Sequence, residues 1–175
     1  MLAVLDETDK ALSRYIHFLE LNKNHEKYVY IFARLMNPDV ICCIVMMIYV
    51  FTYFNKRLSL IAVFHVVVCL IFTLALKKLF GRPRPETKKD VERLYNLRGA
   101  ENNHSMPSGD SLQAANFSVI FHCYFGIKLF FLFIPFVMFA RIYYFCHFIG
   151  DTIIGVLMGL MISSSLYKII SLVNI

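Results

Sequence analysis

The sequence predicts an all-α protein: an integral membrane helical bundle of about five transmembrane helices, preceded by an amphipathic N-terminal helix. Two observations lead there. Hydrophobic residues make up 58% of the 175-residue chain and mean hydropathy is +0.60, well above the roughly 45–50% apolar content of soluble domains. Uncharged runs recur at about 40–54, 58–76, 111–125, 129–140 and 152–167, with short polar breaks between them. The length suits one domain, 1–175, divided into amphipathic helices over 1–36 and a transmembrane bundle over 40–175.

Residues 1–21 read as amphipathic: Leu5, Leu12, Ile16 and Leu19 fall at helical spacing, with Asp6, Asp9, Lys10, Ser13, Arg14 and Glu20 on the other face. A second short helix from about His25 to Met36 repeats the pattern with Tyr28, Ile31, Phe32 and Leu35. Such helices lie on a membrane surface or pack against the bundle. Asn37-Pro38-Asp39 breaks the chain, and Asp39 is the expected N-cap of the next helix. A span needs about 17–25 residues. The run at 58–76 meets this alone, and the others borrow flanking polar residues. The linkers Asn55-Lys56-Arg57 and Gly126-Ile127-Lys128 are short enough to make neighbouring helices antiparallel, whereas 77–110 is a long connection.

The formal charge of +6 is concentrated between Lys77 and Arg98. Cations beside apolar spans imply an anionic partner, either lipid headgroups or a phosphorylated substrate. Nucleic acid is excluded as a partner because no soluble basic domain is present to carry it. The five cysteines show no zinc or redox spacing and read as small hydrophobes.

Three polar clusters interrupt the oily sequence. They are Lys77 to Pro85, Ser105 to Asp110, and Arg141 through His147 to Asp151. The first follows the second run and the next precedes the third, so both sit on one membrane face. The third and fourth runs cross and return, which brings the last cluster to that same face. Lys77, Arg84 and Arg141 are thereby candidates to converge on one anion, with arginine donating two parallel hydrogen bonds to phosphate and lysine adding a point charge. Pro107-Ser108-Gly109-Asp110 opens a helix whose first N–H groups form an anion site, or else Ser108 is an ordinary N-cap. His147 and Asp151, four apart, share a face if both are helical, and a carboxylate on one ring nitrogen frees the other to attack. A self-satisfying polar pair between packed helices is the rival reading.

Taken together, Lys77…Arg84-Pro85, Pro107-Ser108-Gly109 and Arg141…His147…Asp151 resemble the three signature motifs of the type 2 phosphatidic acid phosphatase and vanadium haloperoxidase superfamily, over the chain from about residue 58 onward. The resemblance implies a phosphatase that needs no metal or other cofactor and runs through a phosphohistidine. In that scheme His147 is the nucleophile and Asp151 orients it. Lys77, Arg84, Ser108, the Gly109 N–H and Arg141 bind the phosphoryl oxygens. Two positions depart from the pattern: Ala140 stands where the family usually has serine, and Asp110 where it has a histidine that protonates the leaving oxygen. Three routes are open at that site: Asp110 is itself the acid, His104 supplies the proton, or the leaving group needs none. A diphosphate meets the last condition, which favours a polyprenyl diphosphate over a phosphatidate or sphingoid phosphate. A catalytically inactive lipid-phosphate-binding homologue is the other outcome of losing that histidine. Oligomeric state is not encoded in any feature of the sequence.

Overall fold

Helix α5 (Gly109–Phe125) is the axis of the molecule. Every residue from Ser111 to Ile120 is buried, although the segment carries Ser111, Gln113, Asn116 and Ser118. In this computed structural model, which describes residues 2–51, 56–86, 91, 93–98 and 102–173, α5 is packed directly by three of the other helices, and the remaining three pack on those. These others are α1 (Leu2–His17), α2 (Lys23–Arg34), α3 (Pro38–Phe51), α4 (Lys56–Phe80), α6 (Phe133–Tyr143), entered by a 3-10 turn over Leu129–Leu132, and α7 (Ile149–Leu172). The described residues contain no strand.

Helices α5 and α7 touch along glycines. A Cβ at Gly155 would sit 2.5 Å from the Ser108 carbonyl oxygen, and one at Gly159 would be closer still to that of Leu112. Small residues of this kind let backbones approach where side chains would hold them apart. The approach is made at the start of α5, so the third polar cluster is pulled against the second. It is reinforced by Ser108 N, which donates to the Asp151 carbonyl at 2.9 Å.

By length and composition, α4 and α7 are long and apolar enough to cross a membrane, while α3 and the 3-10 turn with α6 are shorter apolar segments. Against the expected count of about five spans, two helices among the described residues have full length. The end of the run drawn over 40–54 lies outside the described residues, as does Asn55 of the first linker. Helix α3 begins at Pro38, with the Asn37 carbonyl accepting from Ile41 N. Asp39 therefore lies within its first turn rather than at the N-cap, because proline is preorganised for the first helical position. Helix α2 starts two residues earlier than its hydrophobic pattern indicated, since Asn22 caps it by accepting from His25 N at 2.9 Å.

The N-terminal helix is turned in an unexpected way. Its inward residues are Asp9, Ser13 and His17, while Leu5, Leu12 and Tyr15 are exposed. Helix α1 packs its polar edge on α6 and α7 and leaves Leu5 and Leu12 outward, while Ile16, with Leu19 just beyond the helix, packs against the Tyr143–Tyr144 cluster.

Candidate active site

The site is assembled where α4 ends, α5 begins and α6 gives way to α7. Helix α4 carries a buried face at spacing four: His65, Cys69, Thr73 and Lys77. Lys77 thus emerges from the helix end with its ammonium donating to the His104 carbonyl at 2.6 Å. Gly81 takes φ 59°, a left-handed conformation that ends the helix without a Cβ penalty. The chain then runs through Arg82-Pro83-Arg84-Pro85, where proline rules out further helix. Arg84 is 9% exposed. Its Nε donates to the Asn103 carbonyl at 2.8 Å, its Nη2 to Asn103 Oδ1 at 2.5 Å, and its Nη1 to the Cys146 carbonyl at 2.7 Å.

His147 stands just before α7 rather than on it. Phe148 is the N-cap residue, and Asp151 reaches back to accept from Phe148 N at 2.9 Å. The expectation that His147 and Asp151 share a helical face is therefore corrected. Their proximity comes from a capping turn, and Asp151 Oδ2 lies 3.8 Å from His147 Nδ1. The turn before it is tight: Phe145 adopts φ 55°, unusual for a bulky residue. At the far side of the ring, Arg84 Nη1 lies 3.2 Å from His147 Nε2. An arginine N–H can only donate, so Nε2 carries its lone pair and the proton belongs on Nδ1, facing Asp151. Burial, joined by the charges of Arg84, Arg141 and Lys77, pushes His147 from its ordinary 6.5 down to about 3. The imidazole is thus neutral at ordinary pH.

Both oxygens of Asp151 are held. Oδ2 accepts a short hydrogen bond from Ser105 Oγ, and Oδ1 accepts from Arg82 Nη1 at 2.7 Å. Asp151 is fully buried, and a buried carboxylate persists only when paired in this way.

A cavity of about 480 Å³ lies in front of His147, lined at one end by Lys77, Arg84, Asn103, Gly109 and Asp110, and at the other by Ile41, Val66, Leu70 and Leu74. Of the residues singled out in the sequence, Lys77, Arg84, Gly109, Asp110 and His147 are in its wall. Arg141 is not; it is 2% exposed and pairs through Nη2 with Asp110 Oδ2 at 3.0 Å, while Nη1 donates to the Ala33 carbonyl. Ser108 is fully buried and caps α5, its Oγ accepting from Ser111 N at 3.4 Å and Ser111 Oγ at 3.0 Å. With its own N–H given to Asp151, Ser108 sits behind the cavity and not in it. His104 has an exposed side chain; only its carbonyl is engaged at the site. Among the described residues no three His, Cys, Asp or Glu side chains gather as metal ligands do.

The profile of the PAP2 superfamily matches residues 58–174. The chain belongs to that superfamily. The matched region contains Lys77, Arg84, Asp110 and His147 of the cavity wall and leaves out α1, α2 and α3. Among solved structures, the chain resembles the first transmembrane PAP2-type phosphatidylglycerolphosphate phosphatase from Bacillus subtilis, with a TM-score of 0.79 at 19% identity over 96% of this chain and 87% of that one. It also resembles Aquifex aeolicus LpxE, with a TM-score of 0.72 at 24% identity over 90% and 93%. No curated protein sequence matches it. At such identities the likeness establishes a shared fold in this PAP2 chain.

Arg82, Asn103 and Ser105 are site residues that the motif pattern alone did not single out. Ser105 had a weak signal, a small polar residue two before Pro107. Arg82 stood in the open, two residues before Arg84.

Proposed function

We propose that this PAP2 chain is a membrane-embedded, multi-pass phosphatase that hydrolyses a lipid phosphate or diphosphate. The observation that carries the reading is the cavity itself. A neutral His147 Nε2 faces a pocket with Lys77 and Arg84 at one end and an apolar wall from α3 and α4 at the other. A phosphorylated headgroup suits the first end and a hydrocarbon chain the second.

His147 Nε2 attacks phosphorus, the bond to the leaving oxygen breaks, and water later cleaves the phosphohistidine. Asp151 balances the positive imidazole formed on attack. Lys77 and Arg84, with the Gly109 N–H, stabilise charge on the phosphoryl oxygens, the main work in phosphoryl transfer. Arg141, kept on Asp110 at 3.0 Å, adds its positive charge from outside the cavity wall. That pairing also bears on the leaving group. Asp110 Oδ2 is engaged by Arg141 at 3.0 Å, so it is poorly placed to serve a leaving oxygen, and the exposed His104 side chain does not replace it. A diphosphate expels a phosphate monoester, which leaves without protonation. The substrate class favoured is therefore a polyprenyl or other lipid diphosphate, with phosphatidate and sphingoid phosphate as slower substrates.

Purified protein in detergent is expected to release phosphate from an isoprenyl diphosphate without added Mg²⁺, and His147→Ala to cut this by at least ~10³-fold. Undiminished release by the variant would refute the nucleophile. Tight lipid diphosphate binding without turnover in the unaltered chain would instead favour the inactive binding homologue.

A further inference from the structure

Helix α1 lies outside the region that defines the superfamily, yet it grips the site from behind. Its inward residues recur every four positions. Asp9 Oδ1 accepts from Gly150 N at 2.9 Å, Ser13 Oγ accepts from Ile149 N at 2.9 Å, and His17 Nδ1 donates to the Tyr143 carbonyl at 2.9 Å. The first N–H groups of a helix have no partners within it; here α1 supplies those of α7. The His17 ring also stacks on Phe145, centroids 4.3 Å apart, over the left-handed residue of the turn. Arg82 completes the contact, donating to Asp6 Oδ1 at 2.6 Å, Asp9 Oδ2 at 2.8 Å and Asp151 Oδ1 at 2.7 Å.

We propose that α1 and Arg82 are positioning elements for the reaction: they fix Asp151, and through it the imidazole of His147, without touching the substrate. Neither Asp6, Asp9 nor Arg82 lines the cavity in front of His147. The charges argue for more than scaffolding. An isolated Arg82–Asp151 pair is neutral and offers little to a positive imidazole. Shared with Asp6 and Asp9, and with Lys10 paired to Asp6 at 2.5 Å, Arg82 meets three carboxylates, and the cluster keeps a net negative charge behind His147. A Cβ at Gly150 would come within 2.9 Å of Asp9 Oδ2, so a glycine here lets the Asp9 carboxylate sit directly on the first turn of α7.

Only the kinetic arm of the test rests on the phosphatase reading. In the full chain in detergent, Arg82→Ala is expected to lower kcat by ~10–100-fold, since a misplacement of about 1 Å at the reacting group can cost about 10²-fold, with KM within twofold. Millimolar guanidinium is expected to restore much of the loss. Asp9→Asn carries the same kcat test should Arg82→Ala fail to fold. Asp9→Ala, which removes the acceptor of the Gly150 N–H, is expected to speed hydrogen exchange at the Gly150 amide by at least tenfold, leaving the middle of α5 unchanged. Unaltered kcat, a loss carried by KM, or a loss that guanidinium leaves untouched would overturn the proposal. If the unaltered chain releases no phosphate from any lipid, the functional reading fails, and exchange decides alone: faster exchange upholds the clamp and unchanged exchange sinks it.

Discussion

Arg82 and Arg84 share a five-residue stretch, Gly81 to Pro85, and bracket the same dyad from opposite ends. Arg84 reaches the Nε2 end of His147 and lines the cavity. Arg82 reaches the outer oxygen of Asp151 and turns to α1. Arg84 is oriented by carbonyl and amide oxygens of Asn103 and Cys146, whereas Arg82 is oriented by carboxylates and packs over the Phe148 ring at 4.4 Å. The difference teaches that side-chain chemistry does not assign a role. The hydrogen bonds described for Arg84 run to neutral oxygens and leave it on the cavity wall, where an anionic ligand can approach, whereas three carboxylates make Arg82 a structural link.

That division of labour is open to attack. The largest effect belongs to Arg84→Ala, which is expected to lower kcat/KM by ~10²–10³-fold with KM raised, as for loss of one donor to a developing charge. A KM left at its original value would place Arg84 with Arg82 and erase the contrast. Asp110→His probes the cavity side next. Restoring a proton donor is expected to raise turnover of a lipid monophosphate by at least ~10-fold and to change that of a diphosphate by less than threefold. An equal gain for both substrates would show that the leaving group had needed help all along, and would remove the argument for a diphosphate.

The smallest expected effect concerns stability. His147 is held down at about 3 against 6.5 when unfolded, so the unfolded chain binds the extra proton between those values. Stability therefore falls as pH drops below 6.5, by up to about 1.4 kcal/mol per pH unit for one such group. Burial lowers His17 of α1 as well, so His147→Gln is expected to flatten, without abolishing, the decline of the melting temperature between pH 6.5 and 5. A slope identical to that of the unaltered protein would mean the imidazole is already charged in the fold.

Much of the cavity wall was legible because it is local. Lys77 lies at the end of an apolar run, Gly109 opens a helix, and His147 ends the stretch before the last run, so counting runs brought them together. Arg141 was placed near the anion by the same count, but its pairing with Asp110 was not, since two single charges on different helices give no local sign of meeting. Ser108 was read as a phosphate ligand or a cap, and the geometry that decides is the α5–α7 approach at Gly155. Helix α1 was the hardest to read. Its hydrophobic periodicity suggested an apolar face turned to the bundle or the membrane, while Asp9, Ser13 and His17, spaced by four, were the signal for a polar face turned inward.

The sequence by itself determined that this chain is helical, apolar and equipped with the motif set of the PAP2 superfamily, because periodicity, composition and short spacings are properties of neighbouring residues. Only the tertiary structure decided which arginine faces the cavity, that Asp151 is gripped on both oxygens, and that α1 reaches the back of the site. Those facts depend on how closely α1, α5 and α7 approach, and hydrogen bonds between elements far apart in the chain leave no spacing to read.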